Sequence, residues 1–170
     1  MKPQDIIVML KIMLWENTSW SVAKISASIK LSVSETHSAI KRCELSGLYS
    51  PITRKPIMKN FEEFILHGIK YVFPVVLGTI DRGIPTAHSA PPLNDIIVNN
   101  TEEIYVWPYA NGKTRGVTIN PLYPTVPVAA LNDEKLYKLL ALIDSLRIGK
   151  SREKIIAEKE IIKRIENYFI

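Results

Sequence analysis

The first fifty residues alternate between apolar stripes at helical spacing and short polar segments. A first helix is predicted to begin at Pro3, and residues 16–20 end it and supply capping side chains. A second helix follows over residues 21–29, and a tight turn at Lys30 and Leu31 leads into a third. Ser32 and Glu35 form the S-x-x-E pattern of a capping box, and Gly47 is placed to end the third helix. The apolar stripe of the first helix comprises Ile6, Ile7, Leu10, Met13 and Leu14.

The rest of the chain mixes helical and strand-like patterns. Helices are predicted at residues 60–71, at 131–148 with Asn132 as the cap, and from Ser151 toward Phe169. Residues 78–93 are rich in Gly, Pro and Ser and have no period, which predicts a long ordered loop. Strands are predicted at residues 104–107 and 114–119, joined into a β-hairpin by Asn111-Gly112, and the prolines at 121, 124 and 127 favour extended chain. We therefore predict an α+β fold, with a helical region at residues 1–73 and a small α+β region at 74–170 that contains the hairpin and two C-terminal helices.

The second and third predicted helices have the geometry of a helix-turn-helix. Ser26 is a small residue where the two helices would cross, and a turn of about three residues separates them. The residues of the shared core are Ile25, Ile29, Leu31, Thr36 and Ile40. The outer face of the third helix is then polar and basic, which suits a helix lying in the major groove of DNA. That face comprises Val33, Ser34, Glu35, His37, Ser38, Lys41 and Arg42.

The positive charge is concentrated in the same part of the chain. The formal net charge is +5, and residues 21–60 alone contain seven basic and two acidic residues. A local basic patch favours an anionic partner, although a solvated basic face is the alternative. The basic residues are Lys24, Lys30, Lys41, Arg42, Arg54, Lys55 and Lys59.

Composition and motifs argue against disulfide, metal, membrane-spanning and enzymatic classes of protein. The single cysteine, Cys43, excludes an intrachain disulfide and a multi-cysteine zinc site, and it favours a cytoplasmic location. The apolar stretch at residues 6–14 is too short to span a membrane and is interrupted by Lys11. The three histidines lack the spacing of a metal site, and no cofactor motif is present. Asp81, His88 and Ser89 are close in sequence, but no G-x-S-x-G elbow surrounds the serine, so we do not expect an enzyme.

The motifs of residues 20–48 resemble those of winged helix-turn-helix regulators of the MarR type. The matching pieces are W-S-V-x-K-I-S-x-x-I-x-L-S, then S-E-T-H-x-A-I-K-R, then S-G-L. Two positions depart from that pattern: Lys30 stands where such regulators often have glycine, and no hairpin signal follows Leu48. The wing would then be reduced to a basic loop. Further pieces at residues 67–74, 82–93, 106–108 and 121–131 resemble a group of bacterial helix-turn-helix proteins of unassigned function.

The resemblance implies which residues would contact DNA. Base-edge contacts would come from Ser34, His37, Ser38 and Lys41. Phosphate contacts would come from Ser32, Arg42, Arg54 and Lys55. Two of these residues have structural alternatives: Ser32 as a helix cap, and Arg42 as an ion-pair partner of Glu44 or Glu35.

The predicted loop at residues 78–93 is a candidate ligand or partner site. Arg82 could hold an anion, and Thr86, His88 and Ser89 supply polar groups. Tyr105, Trp107 and Tyr109 could supply aromatic walls. The alternative is a rigid, proline-braced loop that only covers the core.

The last predicted helix is amphipathic, with Ile155, Ile162, Ile165 and Phe169 on one side. Such a helix docks on its own core or builds a homodimer, which would place two recognition helices in successive major grooves. Our leading hypothesis is a homodimeric bacterial transcriptional regulator that binds double-stranded DNA in a sequence-specific manner, with a small-molecule effector or a protein as a further partner. The alternative is a protein-interaction adaptor, such as an antitoxin or phage-defence component, that uses the helix-turn-helix as a scaffold.

Overall fold

Helix α1 (Pro3–Leu14) lies at the centre of the N-terminal half of the chain. The structure is a computed structural model that describes residues 1–15, 19–97 and 103–167. Helix α1 contacts α2 (Val22–Ile29) and α3 (Val33–Leu45) on one side and α8 (Glu134–Ile148) on another. Val8 and Met9 are therefore as fully buried as Ile6 and Ile7. The prediction of a single apolar face was wrong, because a helix packed on several sides needs apolar residues all round.

The α3 cap predicted at Ser32 is confirmed, whereas α2 is capped by Ser21, one residue after the predicted capping segment. The Ser21 hydroxyl accepts a hydrogen bond from the backbone N of Lys24, and the Ser32 hydroxyl accepts one from the backbone N of Glu35. Lys30 ends α2 in the left-handed conformation, with φ 57°. That conformation costs a non-glycine residue about 1–2 kcal/mol. Gly47 has φ 69°, as expected for a residue just beyond a helix.

A short hairpin follows α3, where the sequence predicted only a basic loop. Strands β1 (Tyr49–Ser50) and β2 (Lys55–Pro56) pair antiparallel, with Tyr49 opposite Pro56 and Ser50 opposite Lys55. Two-residue strands are too short to show an alternating pattern, which explains why the sequence did not indicate them. The order of elements is thus three helices followed by a two-stranded hairpin.

One helical segment continues from the hairpin into the C-terminal half. It comprises α4 (Met58–Glu63), a π-helical turn (Phe64–Gly68) and α5 (Ile69–Val72). The segment confirms the helix predicted at residues 60–71 and begins two residues earlier. Phe61, Ile65 and Ile69 are buried as the apolar spacing indicated.

A three-stranded sheet replaces most of the predicted loop and the predicted hairpin. Strand β3 (Leu77–Pro85) pairs antiparallel with both β4 (Tyr105–Pro108) and β5 (Thr114–Ile119). Strands β4 and β5 pair with each other in parallel, so the three strands close into a small barrel. The hairpin prediction was therefore wrong: the connection after β4 crosses over β3 instead of turning back beside β4. Residues 77–82 are exposed, so no buried face gives β3 an alternating pattern.

Short helical elements surround the barrel. A 3-10 turn (Ala87–Ser89) and α6 (Leu93–Ile96) follow β3. Helix α7 (Val126–Leu131) occupies part of the segment predicted to be extended, because Pro127 lies in its first turn, where a missing N–H is tolerated. Asp133, not Asn132, caps α8 by accepting a hydrogen bond from the backbone N of Leu136.

Helix α9 (Ser151–Glu166) ends the described chain. Phe169 and the capping segment at residues 16–18 lie outside the described residues, so the predictions made there are not tested. One cluster of buried apolar side chains extends from Ile6 to Ile165. It crosses the boundary that we predicted at residue 73, and the Lys11 ammonium lies 2.5 Å from an Asp133 carboxylate oxygen across it.

Candidate nucleic-acid interface

A buried pair of hydroxyl groups sets the junction between α2 and α3. Ser26 donates a hydrogen bond to the backbone oxygen of Val22 at 2.6 Å and lies 3.0 Å from the Thr36 hydroxyl. Thr36 in turn donates to the backbone oxygen of Ser32 at 3.0 Å. Both side chains are almost fully buried, so their hydroxyl groups are satisfied within the protein. The small residue predicted at the helix crossing is thus confirmed at Ser26.

The outward face of α3 carries polar side chains at helical spacing. Ser34, His37 and Lys41 are exposed, and Ser38 is half-buried between them. Residues three, four and seven positions apart lie on the same side of a helix, so the four side chains form one surface. We call Ser34, His37, Ser38 and Lys41 the α3 face. No described residue forms a hydrogen bond or ion pair with the side chain of His37 or Lys41, which leaves their donors available to a ligand.

The structure directs Arg42 toward α1, away from the α3 face. Its guanidinium contacts both carboxylate oxygens of Asp5, with the shortest distance 2.6 Å, and Glu35 at 2.5 Å. Asp5 is fully buried, and Gln4 donates a second hydrogen bond to Glu35 at 2.9 Å. The hydrogen bond that Arg42 donates to Glu35 holds the pKa of the Glu35 carboxyl below its ordinary value, and the hydrogen bonds that Arg42 donates to Asp5 raise the pKa of Arg42. Of the two alternatives for Arg42, the structure forms the ion pair with Glu35.

The sequence reasoning did not single out Asp5. The signal was an acidic residue within an otherwise apolar helix, where a charge needs a partner. The ion pair joins α1 to α3 across 37 positions of sequence. It therefore fixes how α3 is held against the protein rather than what α3 offers to a ligand.

The hairpin β1–β2 presents two of the predicted phosphate ligands next to α3. Arg54 occupies the turn with φ 54°, and its guanidinium carbon lies 4.6 Å from the centre of the Trp20 ring. The Arg54 side chain also donates to the backbone oxygen of Trp20 at 3.0 Å, and the Trp20 indole donates to the backbone oxygen of Arg54 at 3.2 Å. These contacts tie the hairpin to the segment before α2. Lys55 is exposed, and its ammonium has no ion-pair partner among the described residues.

The residues of the second predicted site do not form an open pocket. Thr86, His88 and Trp107 are almost fully buried, and the Ser89 hydroxyl accepts a hydrogen bond from the backbone N of Tyr105. A ring nitrogen of His88 lies 2.9 Å from the backbone oxygen of Glu103. Arg82 is exposed on β3 and is not part of this buried group. The prediction that these five residues share one ligand site is therefore wrong as a geometric grouping.

Asp144 explains why two of those residues are buried. Its carboxylate accepts hydrogen bonds from the Thr86 hydroxyl at 2.8 Å and from the Trp107 indole at 2.6 Å. It also contacts the Arg147 guanidinium at 2.6 Å. Burial raises the pKa of the Asp144 carboxyl, and the charge of Arg147 opposes that rise. The group is a structural network that fastens the 3-10 turn and the barrel to α8.

Arg147 extends this network to two further segments. It donates to the backbone oxygens of Phe73, Pro74 and Asn120, at distances between 2.7 and 3.3 Å. The sequence-based prediction of this helix did not include Asp144 or Arg147. An Asp and an Arg three positions apart within the mainly apolar stretch at residues 139–148 could have indicated the pair.

Helix α9 docks on its own chain. Ala157, Ile161 and Ile165 are buried, and the helix contacts α4, α6 and α8. Its apolar face is therefore covered, which leaves Ile155 as an exposed apolar residue of this helix. Dimerisation through the buried stripe would require α9 to leave its core.

Comparison of the chain with protein-family models, with curated proteins and with solved structures found no match. The resemblance to MarR-type regulators therefore depends on the motifs of residues 20–48 alone. Over residues 1–15, 19–97 and 103–167, no helix is long and apolar enough to span a lipid bilayer. The same residues contain no group of three or more His, Cys, Asp or Glu side chains that could hold a metal ion.

Proposed function

We propose that this protein binds double-stranded DNA in a sequence-specific manner through the α3 face and acts as a transcriptional regulator. The observation that supports the proposal is a polar, basic helix surface on which His37 and Lys41 have no side-chain partner among the described residues. Ser34 and Ser38 can donate to or accept from base edges, and Lys41 can donate to guanine or to phosphate. His37 can donate from a ring nitrogen. The hairpin adds the cationic residues Arg54 and Lys55 beside the helix.

The proposal predicts that His37→Ala and Lys41→Ala each weaken binding to the specific site. A lost base contact costs about 1–3 kcal/mol, which corresponds to roughly 5- to 150-fold in affinity. Loss of one phosphate contact by Lys41→Ala would also reduce the slope of log affinity against log salt by about one. Fluorescence anisotropy with duplexes from the region upstream of the gene, at several salt concentrations, measures both quantities.

Lys159→Ala on α9 is the matched control, because it removes one exposed positive charge far along the chain from α3. Arg42 is left intact, since its removal would break the ion pair with Asp5 and confuse folding with binding. Equal losses in Lys41→Ala and Lys159→Ala would indicate attraction to net charge only. Wild-type protein that shows no salt-dependent affinity for any duplex would contradict the proposal and favour the adaptor alternative.

Regulators of this kind bind paired half-sites as dimers, and an exposed apolar surface offers a place for a second copy. Val76, Leu77, Ile80 and Ile104 are each between 41% and 65% exposed, and they lie at the start of β3 and just before β4. We call these four residues the β3 apolar surface. Apolar surface of this kind is costly to leave in water and marks interaction sites.

A homodimer through the β3 apolar surface predicts that Ile80→Glu gives a monomer in light scattering at a concentration where the wild type is dimeric. A glutamate charge placed in an apolar interface would lose its hydration, which disfavours the interface. Ile155→Glu on α9 is the control and should leave the dimer intact. A monomeric Ile155→Glu protein together with a dimeric Ile80→Glu protein would place the interface on α9 instead.

A further inference from the structure

A basic cleft lies on the barrel, outside the α3 face and the hairpin. Its volume is about 570 Å³, and it opens between β3 and the turn that joins β4 to β5. Three cationic side chains line it, and the turn supplies the remaining wall. The lining residues are Arg82, Ala110, Asn111, Gly112, Lys113 and Arg115.

Two of the cations are directly opposed in the sheet. Arg82 of β3 pairs with Arg115 of β5 in the antiparallel register. Like charges at directly opposite positions of neighbouring strands destabilise a sheet. Lys113 adds a third positive charge to the same cleft. Arg82, Arg115 and Lys113 form no ion pair with any described residue.

The nearest carboxylate along the chain does not neutralise this charge. Asp81 accepts a hydrogen bond from the backbone N of Arg82 at 2.7 Å, so one of its oxygens is bonded to the main chain. Asp81 lines a neighbouring depression with Arg82 and Tyr109, and it is not part of the cleft wall. The cleft therefore concentrates three positive charges that no described carboxylate pairs with.

The turn that forms the second wall is held close to β3. The backbone N of Tyr109 donates to the oxygen of Arg82 at 3.2 Å, and the backbone N of Gly112 donates to the oxygen of Tyr109 at 2.8 Å. A Cβ atom at Gly112 would lie 2.4 Å from the oxygen of Gly83, so only glycine allows this approach. The backbone, not the flexible side chains, thus defines the shape of the cleft.

We propose that this cleft binds a phosphate group. Arginine side chains present planar pairs of donors that match the oxygens of phosphate, and two facing arginines can bind one group from both sides. Cations placed for solubility would gain nothing from being directly opposed, whereas an anion between them converts repulsion into attraction. The phosphate belongs either to the backbone of bound DNA or to a small phosphorylated ligand.

The first experiment measures binding of pyrophosphate by isothermal titration calorimetry at constant ionic strength. Wild-type protein is compared with Arg82→Gln/Arg115→Gln and with the control Arg152→Gln/Lys159→Gln, which removes two exposed cations of α9. We expect at least a tenfold loss of affinity in the cleft variant and none in the control. The ligand-free cleft variant should melt at or above the wild-type temperature, because the repulsion between the two arginines is gone. That result would separate lost binding from lost folding.

A second experiment measures duplex DNA affinity of the same proteins and identifies the source of the phosphate. Weaker DNA binding with a smaller salt dependence in the cleft variant would identify the DNA backbone. Loss of pyrophosphate binding with unchanged DNA affinity would identify a small phosphorylated ligand. If the cleft variant matches the wild type for both probes, or the control loses as much as the cleft variant, the proposal is wrong. Lys41→Ala tests the α3 face separately. If the protein does not bind DNA through the α3 face, the pyrophosphate experiment still tests the cleft.

Discussion

Asp144→Asn is expected to destabilise the protein by about 3–5 kcal/mol, the typical result of removing one partner of a buried ion pair. The Asp144 and Arg147 side chains are 2% and 1% exposed, so the guanidinium charge would remain buried without a carboxylate. The amide oxygen can still accept hydrogen bonds from Thr86 and Trp107, but the amide NH2 group would face the Arg147 donor, so the variant loses both the charge and that hydrogen bond. Urea unfolding followed by circular dichroism measures the difference in the free energy of unfolding.

The same helix supplies the control for this prediction. Glu134 and Lys138 form an ion pair on α8 in which the Glu134 side chain is 78% exposed. An exposed pair of this kind contributes little because solvent screens it, so Glu134→Gln should change stability little. If Asp144→Asn costs no more than Glu134→Gln, the buried network does not hold the barrel on α8 as described.

Arg42→Met is expected to destabilise the protein by a similar amount, about 3–5 kcal/mol, because it leaves the buried Asp5 carboxylate without its cation. Asp5→Asn should cost less, because the half-buried guanidinium keeps Glu35 as its partner. Thermal and urea unfolding of both variants test this. Equal stability of Arg42→Met and wild type would contradict the view that this ion pair anchors α3.

DNA affinity of Arg42→Met then separates anchoring from contact. The measurement is made at a low temperature, where the variant remains folded. If Arg42 only anchors α3, the DNA affinity of Arg42→Met should lie within about threefold of the wild type. A direct phosphate contact, as the resemblance implied, predicts a clear loss and a salt slope reduced by about one. Asp5→Asn breaks the same ion pair without touching any group proposed to contact DNA.

The anchor also has a defined pH dependence. The pKa of the Glu35 carboxyl is lowered in the folded protein from its ordinary value, chiefly by the hydrogen bond from Arg42. A carboxyl group with a lowered native pKa stabilises the protein above its unfolded pKa and loses that contribution as the pH falls through the native value. The contribution of Glu35 is therefore complete at neutral pH and is lost only in acid.

Local signals in the sequence were sufficient for the helix-turn-helix segment. The cap at Ser32 and the positive φ of Gly47 both follow from interactions within a few residues. Such interactions depend little on the rest of the chain, so the pattern of residues 20–48 predicted both helices and the exposed face of α3. Cys43, on the same helix, is buried, and burial raises the pKa of its thiol to about 12.

The barrel could not be predicted in the same way. Residues 77–82 are exposed on both sides of the strand, so no alternation marks them. The parallel pairing of β4 with β5 depends on the turn crossing over β3, which Gly83 and Gly112 allow by close contact of their backbones. Asn111-Gly112 is the usual signal of a hairpin. Here β4 and β5 pair in parallel instead, because β3 pairs antiparallel with both of them.

The sequence by itself determined the α+β class, the two helices of residues 22–45 with the cap at Ser32, and the polar surface that α3 offers. The tertiary structure decided which charged residues are free and which are structural. Arg42 and Lys41 are neighbours in sequence, yet one contacts a buried aspartate 37 positions away and the other faces solvent. Arg82 and Arg115 face each other only because their strands pair. The physical reason is that the state of a charge depends on partners distant in sequence, whereas a helix and its cap depend on neighbours within one turn.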